Sequence, residues 1–321
     1  MADQPMKYQS TSSQEHTKTD AMMSVKLNDN DRPSLVDTLP PELIREVCGY
    51  LHRGDIQRFR LTCKTCAAAG IQVLVCVLVL VYTKESFGKL LNISKHPELS
   101  KYVRLIIYDP RTVCGRDTMP EMSRCFTAFK KMFNEQRSMK EEKFSASIFS
   151  QVLPNLTGLK AFKISIRQGP LQYDPFKANL GAFNWSKPAQ RTIFEEAQAF
   201  LDAANAISPT SNWSHLRVLR IAIPEVLLDN GTSSHGLVQV LQAAYNVEEL
   251  SIVVGSFHRY PFMDWNEVAL AVMLPCLQSL NLESVFVSSI SLVEFLKRHA
   301  KNTQIPPYCK LSLAGPVERV V

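Results

Sequence analysis

Apolar positions along this chain repeat with two periods, and the change between them divides the sequence. Residues 1–34 are rich in Ser, Thr, Gln, Asp and Lys, show no apolar period, and are expected to form a disordered tail. From Leu35 to Gly70 the spacing is helical. Pro40 and Pro41 stand where a helix tolerates proline, at its start, and Glu42 complements the positive end of the dipole. Leu43, Ile44, Val47 and Leu51 follow at helical spacing and predict one apolar face, which His52-Arg53-Gly54 ends. Asp55 is placed to cap a second helix carrying Ile56, Phe59 and Cys63. Thr62 is placed to cap a third, through Cys66 and three alanines to Gly70. Three helices this short cannot bury their own apolar surface, so they must pack on the rest of the chain or on a partner.

Beyond Gly70, strand-like and helix-like segments alternate. The pattern predicts strands over 71–82, 103–108, 159–166, 216–223, 247–254, 277–282 and 310–313. It predicts helices over 85–95, 119–136, 143–153, 192–207, 236–244, 265–274 and 290–299. Such alternation favours parallel strands joined by helical crossovers. Four segments also share one frame: Leu216-x-x-Leu219-x-Ile221, Val247-x-x-Leu250-x-Ile252, Leu277-x-x-Leu280-x-Leu282 and Tyr308-x-x-Leu311-x-Leu313. Their central leucines lie 31, 30 and 31 residues apart. Leu159-x-x-Phe162-x-Ile164 is an earlier imperfect copy, separated from the next by an insertion over 168–187. The expected fold is therefore α/β, three N-terminal helices followed by a degenerate leucine-rich-repeat-like solenoid over 71–321. An ordinary α/β domain with leucine-rich strands is the alternative.

Composition narrows the picture. Of the 321 residues 45% are apolar and 21% charged, ordinary globular values that leave room for a sizeable core. The net charge of +6 is spread along the chain. The densest basic stretch, Lys130, Lys131, Arg137, Lys140 and Lys143, alternates with Glu135, Glu141 and Glu142, which reads as a solvated helix face and not as a nucleic-acid surface. The longest apolar run, 71–82, is too short for a bilayer, and no secretory h-region stands at the N-terminus. These features lead to the expectation of a soluble intracellular protein, cytoplasmic or nuclear, with its eight cysteines reduced.

Candidate chemistry is sparse. Cys63-x-x-Cys66 is the spacing of a metal half-site or redox pair, yet no second Cys-x-x-Cys or His pair completes a zinc site, and Cys63 reads as a core residue. No nucleophile elbow, phosphate-cradling glycine loop or His-Glu-x-x-His is present, and the seven histidines are far apart in sequence. No cofactor, metal or catalytic residue is expected.

One resemblance organises these observations. The run Leu39-Pro40-Pro41-Glu42-Leu43-Ile44-Arg45-Glu46-Val47-Cys48-Gly49-Tyr50-Leu51 resembles the first half of an F-box. Asp55-Ile56-Gln57-Arg58-Phe59-Arg60-Leu61-Thr62-Cys63-Lys64 resembles the second. The aromatic residue often found after the Cys-Lys pair is replaced by Ala67 to Ala69. The whole chain is similar to the F-box proteins with leucine-rich-like repeats of filamentous fungi. The resemblance implies docking onto Skp1 of a cullin-based ubiquitin ligase, with Leu39, Pro40, Leu43, Ile44, Val47, Leu51, Ile56, Phe59 and Leu61 as apolar anchors. It further implies a non-catalytic adaptor whose second domain recruits an as yet unidentified protein substrate, or else a Skp1-binding scaffold outside the ligase. For the substrate surface, Arg217, Arg220, Glu248, Glu249, Gln278 and Asn281 are candidates from the strands. Tyr173, Phe176, Phe183 and Trp185 and the 257–265 loop add aromatic content that suits either hot spots or lids packed back onto the domain.

Overall fold

The computed structural model describes residues 38–113, 124–165, 185–186, 190–207, 216–223, 233–254, 263–283, 285–302 and 310–314. The tail expected over 1–34 and the aromatic residues Tyr173, Phe176 and Phe183 lie outside them. The chain falls into two units, Met1–Leu39 and Pro40–Val321, and all elements named below belong to the second.

Among the described elements three helices come first: α1 (Pro41–Tyr50), α2 (Arg53–Phe59) and α3 (Lys64–Cys76). Then follow β1 (Val77–Val81), α4 (Lys84–Lys95), β2 (Leu105–Asp109), β3 (Thr112–Val113), α5 (Arg124–Glu141), α6 (Phe144–Val152) and β4 (Ala161–Ser165). Next are β5 (Trp185–Ser186), α7 (Gln190–Asn205), β6 (Val218–Ile223), α8 (Ser233–Ala243), β7 (Glu249–Val254), β8 (Met263–Asp264) and α9 (Asn266–Ala271). The described chain ends with β9 (Ser279–Glu283), β10 (Val285–Phe286), α10 (Ser289–Asn302) and β11 (Lys310–Ala314).

Seven strands make one open sheet in the order β1-β2-β4-β6-β7-β9-β11, and every pair in it is parallel. Short pairs flank it, β3 with β5 antiparallel and β8 with β10 parallel. The strands of this sheet therefore follow one another in chain order. The register explains the leucine frame: Leu78, Ile106, Phe162, Leu219, Leu250, Leu280 and Leu311 form one column across all seven strands, and Leu80, Tyr108, Ile164, Ile221, Ile252, Leu282 and Leu313 form the next. Period-two alternation places both columns on the same face, and from β1 to β9 every member of both is buried. Helices α4, α6, α7, α8, α9 and α10 pack each on the next along that face. Phe162 stacks on Phe200 of α7 at 3.7 Å between ring centres, and Phe149 of α6 meets both edge-on. The other face is a different surface. Val79, Ile107, Lys163, Arg220, Ser251 and Asn281 alternate with the buried columns and are half-exposed or exposed.

The start of each strand is tied to the one before it. The amide of Arg104 donates to the Cys76 carbonyl, Lys160 to Arg104, Arg217 to Lys160, Glu248 to Arg217 and Gln278 to Glu248, all within 2.7–2.9 Å. Arg217, Glu248 and Gln278 thus stand at the rim where strands begin, whereas Arg220, Glu249 and Asn281 lie on the open face.

The expected strand over 71–82 is corrected. Residues 71–76 continue α3, and the strand is only Val77–Val81. Helix α3, already nucleated, carries through its β-branched Ile71, Val73 and Val75, while Gln72 donates from its side-chain amide to the Tyr102 hydroxyl at 3.1 Å. Tertiary contact here outweighs a propensity difference of a few tenths of a kcal/mol per residue. Val75 joins the core beneath the sheet, whereas Ile44, Cys48, Ile56, Cys66 and Ala69 are buried apart from it among α1–α3.

Candidate functional site: the three-helix surface

Helix α1 starts on Pro40, whose carbonyl accepts from the amides of Leu43 and Ile44 at 3.0 and 3.2 Å. Pro41 fills the first turn, where its missing N–H costs nothing. The single apolar face expected for this helix is in fact two faces. Ile44 and Cys48, four apart, point inward at 1% and 0% exposure. Leu43, Val47 and Tyr50 recur at i, i+4 and i+7 and point outward at 47%, 45% and 84%. Four residues of helix advance about 400°, so two i,i+4 pairs offset by one residue sit about 100° apart.

Helix α2 begins two residues before the expected cap. His52 is its N-cap, its carbonyl accepting from Asp55 and Ile56, both at 2.9 Å, while Asp55 sits in the first turn, where its charge favours the helix. Ile56 turns inward at 4% exposure, and Phe59 is half-buried. Leu61, in the turn that follows, is 86% exposed. Thr62 does not cap the third helix, because its hydroxyl donates back to the Phe59 carbonyl at 2.7 Å. Cys63 takes that role, its sulfur accepting the amide of Cys66 at 3.4 Å.

The Cys-x-x-Cys spacing is therefore a helix start. Burial first, and Cys66 beside it second, push the Cys48 thiol up, so it is a protonated core residue. Among the described residues no group of three His, Cys, Asp or Glu is arranged to hold a metal ion. Gly70 is where α3 passes α2: a Cβ there would meet the Arg60 side chain and Ile56.

Of the nine sequence-derived anchors, Pro40, Leu43, Val47 and Leu61 are exposed, and Leu39, Leu51 and Phe59 are half-buried. Ile44 and Ile56 are closed inside the helices. Tyr50 was not among the nine, although its place seven residues after Leu43 marks it as part of the outer stripe. The result is a surface of large apolar side chains at the start of the chain's described portion.

Elsewhere the polar constellations are structural. Asp109, 1% exposed, takes a bidentate ion pair from Arg111 at 2.7–3.0 Å. The Tyr108 hydroxyl donates to Glu196 at 3.0 Å, and burial holds the Glu196 carboxyl above its ordinary range. His299, on α10, reaches the segment that follows α9. Its Nε2 accepts the Leu274 amide at 2.8 Å, which leaves Nδ1–H to donate to the Phe295 carbonyl. Of the basic stretch, Lys130, Lys131, Arg137 and Lys140 lie on α5 and Lys143 is the N-cap of α6; Glu141 pairs with Arg137 at 3.0 Å and Glu135 accepts the Lys84 amide at 2.8 Å. In the 257–265 loop, only Met263–Trp265 fall among the described residues; Trp265 is fully buried, edge-on to Phe295. Trp185 lies in β5, opposite Val113. Cys48, Cys76 and Cys276 are free thiols, and no described helix is long and apolar enough to cross a membrane.

The family comparison falls on the three helices. Residues 36–69 match the model of the F-box domain. No curated protein matches the chain. F-box domains generally bind Skp1, and proteins that carry them are typically non-catalytic adaptors of Skp1–cullin–F-box ubiquitin ligases. The outward stripe on α1, the exposed leucine after α2 and the residues matched together identify this chain as an F-box domain-containing protein.

Proposed function

We propose that the chain is the substrate-receptor subunit of a Skp1–cullin–F-box ubiquitin ligase. The observation that carries this reading is the exposure of Leu43, Val47, Tyr50 and Leu61 within the residues matched by the F-box model. Large apolar side chains held out on a small helical module suit a partner groove. Leu39, Pro40, Leu43, Val47, Leu51, Phe59 and Leu61 would contact Skp1, while Ile44 and Ile56 hold the helices in the shape that presents them. The division of labour is a tail over 1–34, the docking module over 35–70 and a substrate-binding domain over 71–321.

The second domain reads as a leucine-rich-repeat-like solenoid. Sequential strand order, in-register leucine columns and one row of helices support it. The open sheet face is then the substrate surface. Catalysis belongs to the partner ligase, and this chain contributes proximity, holding a substrate lysine near a charged ubiquitin carrier.

Pro40→Ala combined with Leu43→Ala tests the docking half. The double variant is expected to lose co-purification with Skp1, and unchanged recovery overturns it. Recovery of the cullin together with Skp1 tests the ligase half, since a scaffold acting outside the ligase would bring Skp1 alone.

A further inference from the structure

The open face of the sheet changes character from strand to strand. Its central column starts apolar with Val79 and Ile107, turns basic with Lys163 and Arg220, and ends polar with Ser251 and Asn281. The last two satisfy each other, Asn281 donating to the Ser251 hydroxyl at 3.1 Å. The basic pair does not. Lys163 and Arg220 are register partners on adjacent strands, about 4.8 Å apart along the sheet. Like charges placed side by side in a sheet oppose its formation. Arg220 reaches Glu249 only at 4.0 Å, with both side chains 54% exposed, a surface pair worth little. Among the described residues no carboxylate pairs with Lys163. The trio Lys163, Arg220 and Glu249 keeps one positive charge, beside an apolar patch that is itself half-exposed.

We infer that this column is a recognition strip for an acidic peptide segment, with an apolar residue over Ile107 and a carboxylate between Lys163 and Arg220. The inference deepens the substrate-receptor reading and rests on it. The spacing selects a motif. From Ile107 to midway between Lys163 and Arg220 is one and a half strand spacings, about 7 Å, which is the distance between alternate side chains of an extended peptide. The matching pattern is an apolar residue, any residue, then Asp or Glu, in a segment crossing the strands.

Selection of random nonapeptides displayed on phage, against the purified full chain, tests this. Apolar-x-Asp/Glu is expected to be enriched at least tenfold. Lys163→Glu with Arg220→Glu is expected to replace the acidic position by Lys or Arg, and Lys163→Gln with Arg220→Gln to abolish the preference without reversing it. The same acidic motif selected by the charge-reversed chain, or no acidic preference in the wild type, overturns the inference. Binding of a phosphoserine peptide, Gly-Ser-Leu-Ser-phosphoSer-Ser-Gly, without measurable binding of its Glu counterpart overturns the carboxylate in favour of phosphate. If either variant melts early, the outcome rests on the wild-type selection and on the other variant. Skp1 recovery measured on the same preparations separates the two readings, because a flat peptide selection with Skp1 retained removes the strip and leaves the docking module standing.

Discussion

Truncating the outward leucines and valine of the docking module should separate partner binding from folding. Leu43 and Val47 expose nearly half of their surface and Leu61 exposes 86%. Burying a whole side chain of this size contributes about 1.5–3 kcal/mol, so covering the exposed fraction contributes about 1 kcal/mol each for Leu43 and Val47 and about 2 for Leu61. The triple variant Leu43→Ala, Val47→Ala, Leu61→Ala should therefore lose about 4 kcal/mol of docking energy, roughly a thousandfold in Kd for Skp1. The same three changes remove exposed groups, and each should move folding stability by no more than about 0.5 kcal/mol. Ile44→Ala, at 1% exposure, should do the opposite and cost about 2–5 kcal/mol of folding stability. Titration of purified Skp1 by calorimetry, beside thermal melts of the same samples, reads both quantities. A triple variant binding within threefold of the wild type would refute the assignment of these anchors. A triple variant melting as early as Ile44→Ala would refute the two-sided reading of α1.

Two buried titratable groups should give stability opposite pH slopes. Burial holds His299 below its ordinary value near 6.5, so the unfolded chain binds the proton first and stability falls as pH drops below about 6.5. His299→Gln should flatten that limb in urea titrations, and a wild type equally stable across it would contradict the fixed tautomer. Burial raises Glu196 above its ordinary 4.5, so its contribution to stability is present at acid pH and fades as pH rises through the raised value. Glu196→Gln keeps an acceptor for the Tyr108 hydroxyl and should be as stable as the wild type or more so at neutral pH, a melt at pH 7.5 deciding. Gly158→Ala should destabilise by about 1–3 kcal/mol, because its new Cβ meets the Lys101 carbonyl and the Arg104 guanidinium; an unchanged melting point would show that this approach relaxes freely.

The sheet was legible in sequence where strands repeat at near-equal spacing. The frames around Leu219, Leu250, Leu280 and Leu311 fall into one register column, and Phe162 joins it despite the insertion. Val75-x-x-Leu78-x-Leu80 and Val103-x-x-Ile106-x-Tyr108 obey the same frame outside the regular spacing. Unequal connections hid their period, and Val75 lies in a helix, where alternation does not operate. At the docking module, residue types were readable but facing was not. Leu43 and Ile44 are adjacent apolar residues, and hydrophobicity alone does not say which one faces the interior. Packing of α1 and α2 against α3 decides it. Caps misled for a related reason: Thr62 and Asp55 suit an N-cap by type, but the turns they occupy place His52 and Cys63 there instead.

Helix α3 begins inside the docking module at Lys64 and hands over to β1 at Val77 without an intervening loop. The module and the sheet are consequently geared, and the length of that helix sets their phase. One residue added between Gly70 and Val75 would rotate the sheet by about 100° about the helix axis and move it by about 1.5 Å. Seven added residues would bring the phase back to within about 20°, at a cost of about 10 Å in reach. Length changes in this helix are therefore not graded in effect. They come in steps, and the sheet keeps its bearing toward the three helices only when the step is close to a whole number of turns.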